Sequence, residues 1–250
     1  MKKLESTKNK IYPIATLIVA IMIWEGIVDL KNIPQYIIPS PKDIFGTLIS
    51  EFGVIMQNAK ITIYEALVGF VISIIFAFIL AVIMDSFEII KKALYPILVI
   101  SQTIPTIAVA PLFIIWFGFG PMPKIVVVVI TCFFPIVISL MDGFEKIDKD
   151  YINLFTTMKA SKLQIFYHLK LPSAMVNLFS GLKIACTYMI MAAVIGEWLG
   201  GDNGIGVYMV RAKNAYALDK VFASIIVIVV ISILLIYIVD FIGKRIIHWK

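Results

Sequence analysis

The stretch ITIYEALVGFVISIIFAFILAVIM, Ile61 to Met84, carries a single charged side chain, Glu65, and no period-two alternation. It is longer than the roughly 20 mostly apolar residues that a helix needs to cross a bilayer. Five further runs read the same way: Ile11–Val28, Ala93–Phe117, Ile125–Met141, about Met175–Ile195 and Val221–Ile242. A strand reading fails on length and pattern. The sequence therefore predicts an all-α integral membrane protein with six transmembrane helices, filling residues 1–250 as a single domain.

Composition agrees. The chain is 61% hydrophobic and 15% charged, with a mean hydropathy of +0.98, against about 45–50% and about 25% in soluble domains. A soluble enzyme, a disordered chain and a nucleic-acid-binding domain are excluded. The net charge of +6 comes from basic residues scattered between apolar runs, which suits membrane topology better than a phosphate-binding face. Met1–Lys10 resembles a signal peptide, but the apolar run that follows exceeds the usual core of about 7–15 residues and lacks a small-residue cleavage site, so it reads as a retained first span.

Basic residues set the expected orientation. With the N-terminus inside, the inner segments hold Lys2, Lys3, Lys8, Lys10, Lys91, Lys92, Lys146, Lys149, Lys159, Lys162, Lys170, Lys244, Arg245 and Lys250. The outer segments hold half as many: Lys31, Lys42, Lys60, Lys124, Arg211, Lys213 and Lys220. Both termini are expected in the cytoplasm.

Asp142–Ala174, between spans four and five, is about 33 residues long, and connections of that length are commonly functional. Ile152, Leu154, Phe155 and Met158 follow helical spacing, with Lys149, Asp150, Asn153, Thr156 and Thr157 on the polar side. A second apolar set, Leu163, Ile165, Phe166 and Leu169, leads to Leu171-Pro172, expected to end the segment where the next span begins. The residues alone leave two readings: an interfacial helix on lipid headgroups, or a helix seated in a groove of a soluble partner.

Asn153–Pro172 resembles the cytoplasmic signature loop of binding-protein-dependent ABC importer permeases. That pattern runs Glu-Ala-Ala, three residues, Gly, nine residues, an aliphatic residue, one residue, Leu-Pro. Leu169, Leu171 and Pro172 match it; Asn153, Leu154, Phe155 and Lys159 stand at the Glu, Ala, Ala and Gly positions. Ile37-Ile38-Pro39-Ser40-Pro41 is similar to the nitrate/sulfonate/taurine-type members. So are Gln102-Thr103-Ile104-Pro105, Ala110-Pro111-Leu112, Ile115-Trp116-Phe117-Gly118, Phe133-Phe134-Pro135-Ile136 and Gly196-Glu197-Trp198 through Gly204-Ile205-Gly206.

The resemblance implies a permease subunit in a bacterial inner membrane. Two copies would form the pathway, cytoplasmic ATPase subunits would drive it and an extracytoplasmic binding protein would deliver a small organic or oxyanion solute. A coupling helix at about Ile152–Ser161 would seat in the ATPase through Ile152, Asn153, Leu154, Phe155, Met158, Lys159 and Ala160, with Leu169, Leu171 and Pro172 completing the loop. The chain would bind lipid but no cofactor or metal of its own, ATP and Mg belonging to the partner.

The residues agree with a subunit that catalyses nothing: there is no phosphate-cradling Gly-x-x-x-x-Gly-Lys-Ser/Thr loop. Gln102, Thr103 and Thr106, beside Pro105 and Pro111, are pathway candidates, because broken helices in membranes need polar or wet surroundings; routine helix packing is the plainer reading. Glu197 is a candidate gate or binding-protein contact, with a simple interfacial anchor beside Trp198 as the plainer reading, and Lys183 a snorkelling anchor. The glycines at 200, 201, 204 and 206 read as turn formers and Cys132 and Cys186 as packing residues, and His168 and His248, far apart in sequence and on expected cytoplasmic segments, are not read as a metal pair. A gradient-driven carrier would carry more ionisable groups deep in its spans. A membrane enzyme would need a catalytic cluster at one depth. The sparsely charged spans lean toward a neutral heterocycle as substrate.

Overall fold

The computed structural model describes residues 2–248, with side chains from Tyr12 onward. The side chains of Lys2, Lys3, Lys8 and Lys10, and the whole of Lys250, on which part of the orientation argument rests, lie outside the described residues. Those residues form helices joined by short turns, with no strand among them. Five helices are long and apolar enough to span a membrane, and a pair of shorter helices, sharply bent at a break, brings the number to six where the pair is counted as one broken span rather than a re-entrant loop.

Contacts divide the chain into two compact units, residues 1–57 with 208–227, and residues 58–207 with 228–250. The first unit holds α1 (Lys2–Leu30), α2 (Pro41–Ser50) and the start of α3 (Phe52–Ser86). The Pro39-Ser40-Pro41 motif proves to be a helix start. Ser40 Oγ accepts the Asp43 N–H at 3.2 Å, the Asp43 carboxylate answers the Ser40 N–H at 3.3 Å, and Pro41 occupies the first turn. Further ties within this unit are the ring contact of Trp24 with Phe222 and the Glu51–Lys220 pair at 2.6 Å.

The second unit carries the rest of α3. The third span, expected as one helix over Ala93–Phe117, is instead two: α4 (Glu88–Ser101) and α5 (Thr106–Phe117), bent by 102° at the break. Pro105 has no N–H to continue the ladder and disfavours helical geometry at Ile104, so the chain turns there. Next comes α6 (Pro121–Glu145), which with α9 (Leu171–Gly200) forms the tightest helix pair of the unit. A Cβ on Gly181 would stand 2.6 Å from the Cβ of Ser139, so glycine sets how closely α9 approaches α6. Buried Cys132, Ile136 and Leu140 face buried Ala185, Cys186 and Met189 in this seam, and both cysteines are free thiols that serve as packing.

Between α6 and α9 lie α7 (Lys149–Thr157) and α8 (Lys162–Ile165), and a π-helical turn, Phe166–Lys170, runs straight into α9. α9 starts at Leu171-Pro172, where the sequence reading put the next span, but no break in the helix marks the boundary. The helix is continuous from Lys162 to Gly200. Pro172 cannot donate to His168, and the wider turn, with the Leu171 N–H on the Phe166 carbonyl, lets the helix pass the ring. The chain closes with α10 (Ile205–Asn214) and α11 (Leu218–Ile246). Val229, Ile233, Leu234, Tyr237 and Phe241 of α11 are exposed, as expected of a surface that meets lipid.

Candidate functional site

The break between α4 and α5 opens a cavity of about 590 Å³ bounded by α5, α6 and α9. Gln102, Thr103 and Thr106 all line it, so three of the four expected pathway residues come together. The sequence reading missed Ser101, Thr131 and Tyr188 as polar wall residues, and Phe113, Phe134 and Met191 as apolar ones. Thr131 and Pro135 sit one helical turn apart on the fourth span, and that spacing was the available signal. The Thr131 hydroxyl donates to the Val127 carbonyl at 2.8 Å, and the Thr103 hydroxyl to the Ile100 carbonyl at 2.7 Å, so both are held by their own backbone. Among the described residues, no Lys, Arg, His, Asp or Glu lines the cavity. Its walls offer hydroxyls, an amide and aromatic faces.

Glu197 lies elsewhere. Expected with the pathway, it is 1% exposed and does not reach the cavity. Its carboxylate accepts the Thr62 hydroxyl and the Gly206 N–H, both at 2.6 Å, while Thr62 Oγ1 accepts the Ile205 N–H at 2.9 Å. The glycine-rich turn thus wraps a buried acid, and Gly204, at φ +124°, leaves no room for a Cβ beside that carboxylate. Beside it, Lys124 of α6 pairs with Glu65 of α3 at 2.5 Å, both buried. A carboxylate at membrane depth is costly unless partnered, and here the protein supplies the partners. Lys183 pairs with Asp240 of α11 in place of a free snorkelling position.

At the opposite end of the spans, Lys170 holds Asp85 of α3 at 2.8 Å, and Lys91 holds Glu145 of α6 at 2.7 Å. In sequence α7 lies between Glu145 and Lys170 and is capped by Asp148, whose carboxylate accepts the Asp150 N–H at 2.9 Å. Its expected apolar face divides in two. Ile152 and Phe155 are half-buried, whereas Leu154 and Met158 are exposed, in line with exposed Tyr151. Asn153 is exposed as well, and Ala160, Leu169, Leu171 and Pro172 are half-buried. Lys159, at the position where the signature pattern has glycine, takes φ +58° and closes α7. Its N–H bonds the Thr156 carbonyl at 2.9 Å, and the Ala160 N–H bonds the Phe155 carbonyl at 3.0 Å. This is the paired closure that glycine ordinarily makes.

Residues 69–248 match the family described as the binding-protein-dependent transport system inner membrane component. The chain belongs to that family. The permease is 34% identical to a probable ABC transporter permease protein of Haemophilus influenzae, over 93% of this chain and 95% of that one. It is 35% identical to the formylaminopyrimidine transport permease protein ThiX of Halalkalibacterium halodurans, over 89% of each. Among solved structures, a chain of the inward-facing MetNI methionine ABC transporter shares the fold, with a TM-score of 0.66 at 17% identity, covering 80% of the permease and 97% of that chain.

The permease is thus the multi-pass membrane subunit of a binding-protein-dependent ABC importer for small solutes, a transport component rather than an enzyme. ATP hydrolysis in such systems belongs to a separate subunit. The gradient-driven carrier is set aside by the same findings.

Proposed function

We propose that the permease imports a small, neutral, aromatic heterocycle, and that the cavity at the α4–α5 break is its half of the pathway. The observation that carries this is the wall chemistry: amide, hydroxyls and aromatic faces without one charged group. A nitrate or sulfonate would leave its full charge unpaired there, at a cost that a neutral ring with donors and acceptors avoids. The relative named for a formylaminopyrimidine supports the same class.

In this reading the whole chain works as one permease domain in a bacterial inner membrane, with both termini cytoplasmic. A second copy closes the pathway across the open side of the cavity. α7 is the coupling helix: Tyr151, Leu154 and Met158 enter a cleft of the ATPase, while Ile152 and Phe155 hold the helix to the permease. ATP and Mg bind the ATPase, and the binding protein delivers solute to the Glu197 end.

The test is uptake by the permease reconstituted with its ATPase and binding protein. An aminopyrimidine accumulating with ATP, and lost on Thr131→Val with Gln102→Leu, supports the reading. Alkyl sulfonate uptake that survives those substitutions overturns the substrate class.

A further inference from the structure

A second cavity, of about 280 Å³, lies between α9 and α11, and the transport reading makes no use of it. Its lining pairs apolar Val176, Phe179 and Ile247 with Ser180, Lys183, Asp240 and Lys244. Gly243 brings α11 close enough to build it, because a Cβ there would stand 2.8 Å from the Phe179 ring.

The charges at this cavity do not cancel. Asp240 carries two cations: it pairs with Lys183, and with Lys244 at 2.6 Å. One carboxylate against two ammonium groups leaves one net positive charge at the cavity. Lys244 is 77% exposed at its side chain and has donors to spare. Arg245 follows, stacked over Phe241 at 5.3 Å, where the apolar run of α11 gives way to Lys244, Arg245 and His248. That transition marks the membrane–water boundary, the level of lipid phosphates. Above it, α11 presents Ile238, Phe241 and Ile242 as exposed apolar surface along which an acyl chain can lie.

We propose that this cavity binds the phosphate of an anionic phospholipid. Lys244 and Lys183 face the phosphodiester oxygens, the Ser180 hydroxyl lies in the same wall, and the glycerol backbone rests against Val176, Phe179 and Ile247. Charge complementarity selects the anionic headgroup, since a zwitterionic one brings its own cation to a site that already has two. Basic pockets between spans at a membrane surface are suited to such headgroups. The site is separate from the solute pathway, so it stands or falls independently of the proposed substrate.

The experiment is a lipid titration of the intact, delipidated importer complex, read by native mass spectrometry. Phosphatidylglycerol should bind at a discrete site in preference to phosphatidylcholine. Lys244→Gln should weaken that binding about fivefold, the loss of one lysine at a membrane surface, and Lys244→Arg should restore it. The triple change Lys183→Met, Asp240→Leu and Lys244→Gln removes the charges without stranding one, and should abolish the preference. Equal retention of both lipids, or no effect of Lys244→Gln in a complex with unchanged melting, overturns the proposal. So does displacement of the lipid by inorganic phosphate at a matched free concentration, which would make the site one for a soluble ion.

Discussion

The Glu197 carboxylate accepts the Gly206 backbone N–H at 2.6 Å across the turn that separates α9 from α10. Its other oxygen takes the Thr62 hydroxyl, so one acid fixes both the turn and the neighbouring wall of α3. Glu197→Ala would leave the buried Gly206 N–H and Thr62 hydroxyl without their acceptor, at about 1–3 kcal/mol for each stranded group. The expected outcome is a lower melting temperature for the purified protein, with Glu197→Gln milder because one acceptor oxygen remains. Unchanged melting in Glu197→Ala would remove the bracing role and return this residue to the gate expected from its sequence position.

Lys124 and Glu65 form a buried pair whose halves cannot be separated cheaply. Lys124→Met should destabilise by about 3–5 kcal/mol because it leaves a carboxylate without its cation. Lys124→Met combined with Glu65→Leu should recover most of that loss. Chemical denaturation of the two variants in the same detergent distinguishes a penalty from stranded charge, which the double change repairs, from a packing defect, which it does not.

Lys159 occupies a left-handed conformation at φ +58°, which costs a side-chain-bearing residue about 1–2 kcal/mol. Lys159→Gly should therefore firm the end of α7, slowing hydrogen exchange of the Met158, Lys159 and Ala160 amides. Faster exchange would mean that the lysine side chain holds the turn by some contact of its own.

Much of this fold was legible because long apolar runs and prolines act locally. The five long apolar helices and the polar cluster at Gln102, Thr103 and Thr106 needed no tertiary information. Three features did need it. Pro105 was visible, but whether a proline merely kinks a span or turns the chain by 102° depends on what fills the angle. Pro172 read correctly as the start of a span, but the π turn that joins that span to the preceding helix without a break leaves no composition signal. Glu197 read as facing water or a partner because its neighbour Thr62 lies 135 positions away and only the packed spans bring the two together.

Tyr208 of α10 hydrogen-bonds Glu51 at 3.3 Å. Burial, and then the Glu51 charge, pushes its phenol up to about 12 from its ordinary 10. The folded state therefore keeps a proton that the unfolded chain releases first. The stabilising contribution is complete below pH 10 and disappears as pH rises toward 12. Ultraviolet titration of the folded protein should show a late tyrosinate step that is missing in Tyr208→Phe, and the variant's melting temperature should fall less steeply over that window.

Under the coupling role proposed for α7, its two faces separate coupling from folding. Leu154 and Met158 are exposed, at 54% and 72%, whereas Phe155 is half-buried. Replacing both exposed residues by Asp puts charge only on the outward stripe, so the permease should melt as before. Because burying a carboxylate in an apolar groove is strongly unfavourable, the ATPase should no longer co-purify with it. Phe155→Asp places the charge on the inward side and should lower the melting temperature before any effect on the partner can be read. Melting curves and pull-downs run together decide the matter. An outward pair that keeps its ATPase would remove α7 from the interface, and lipid-vesicle binding by the same pair would then measure how far the helix serves as a headgroup anchor.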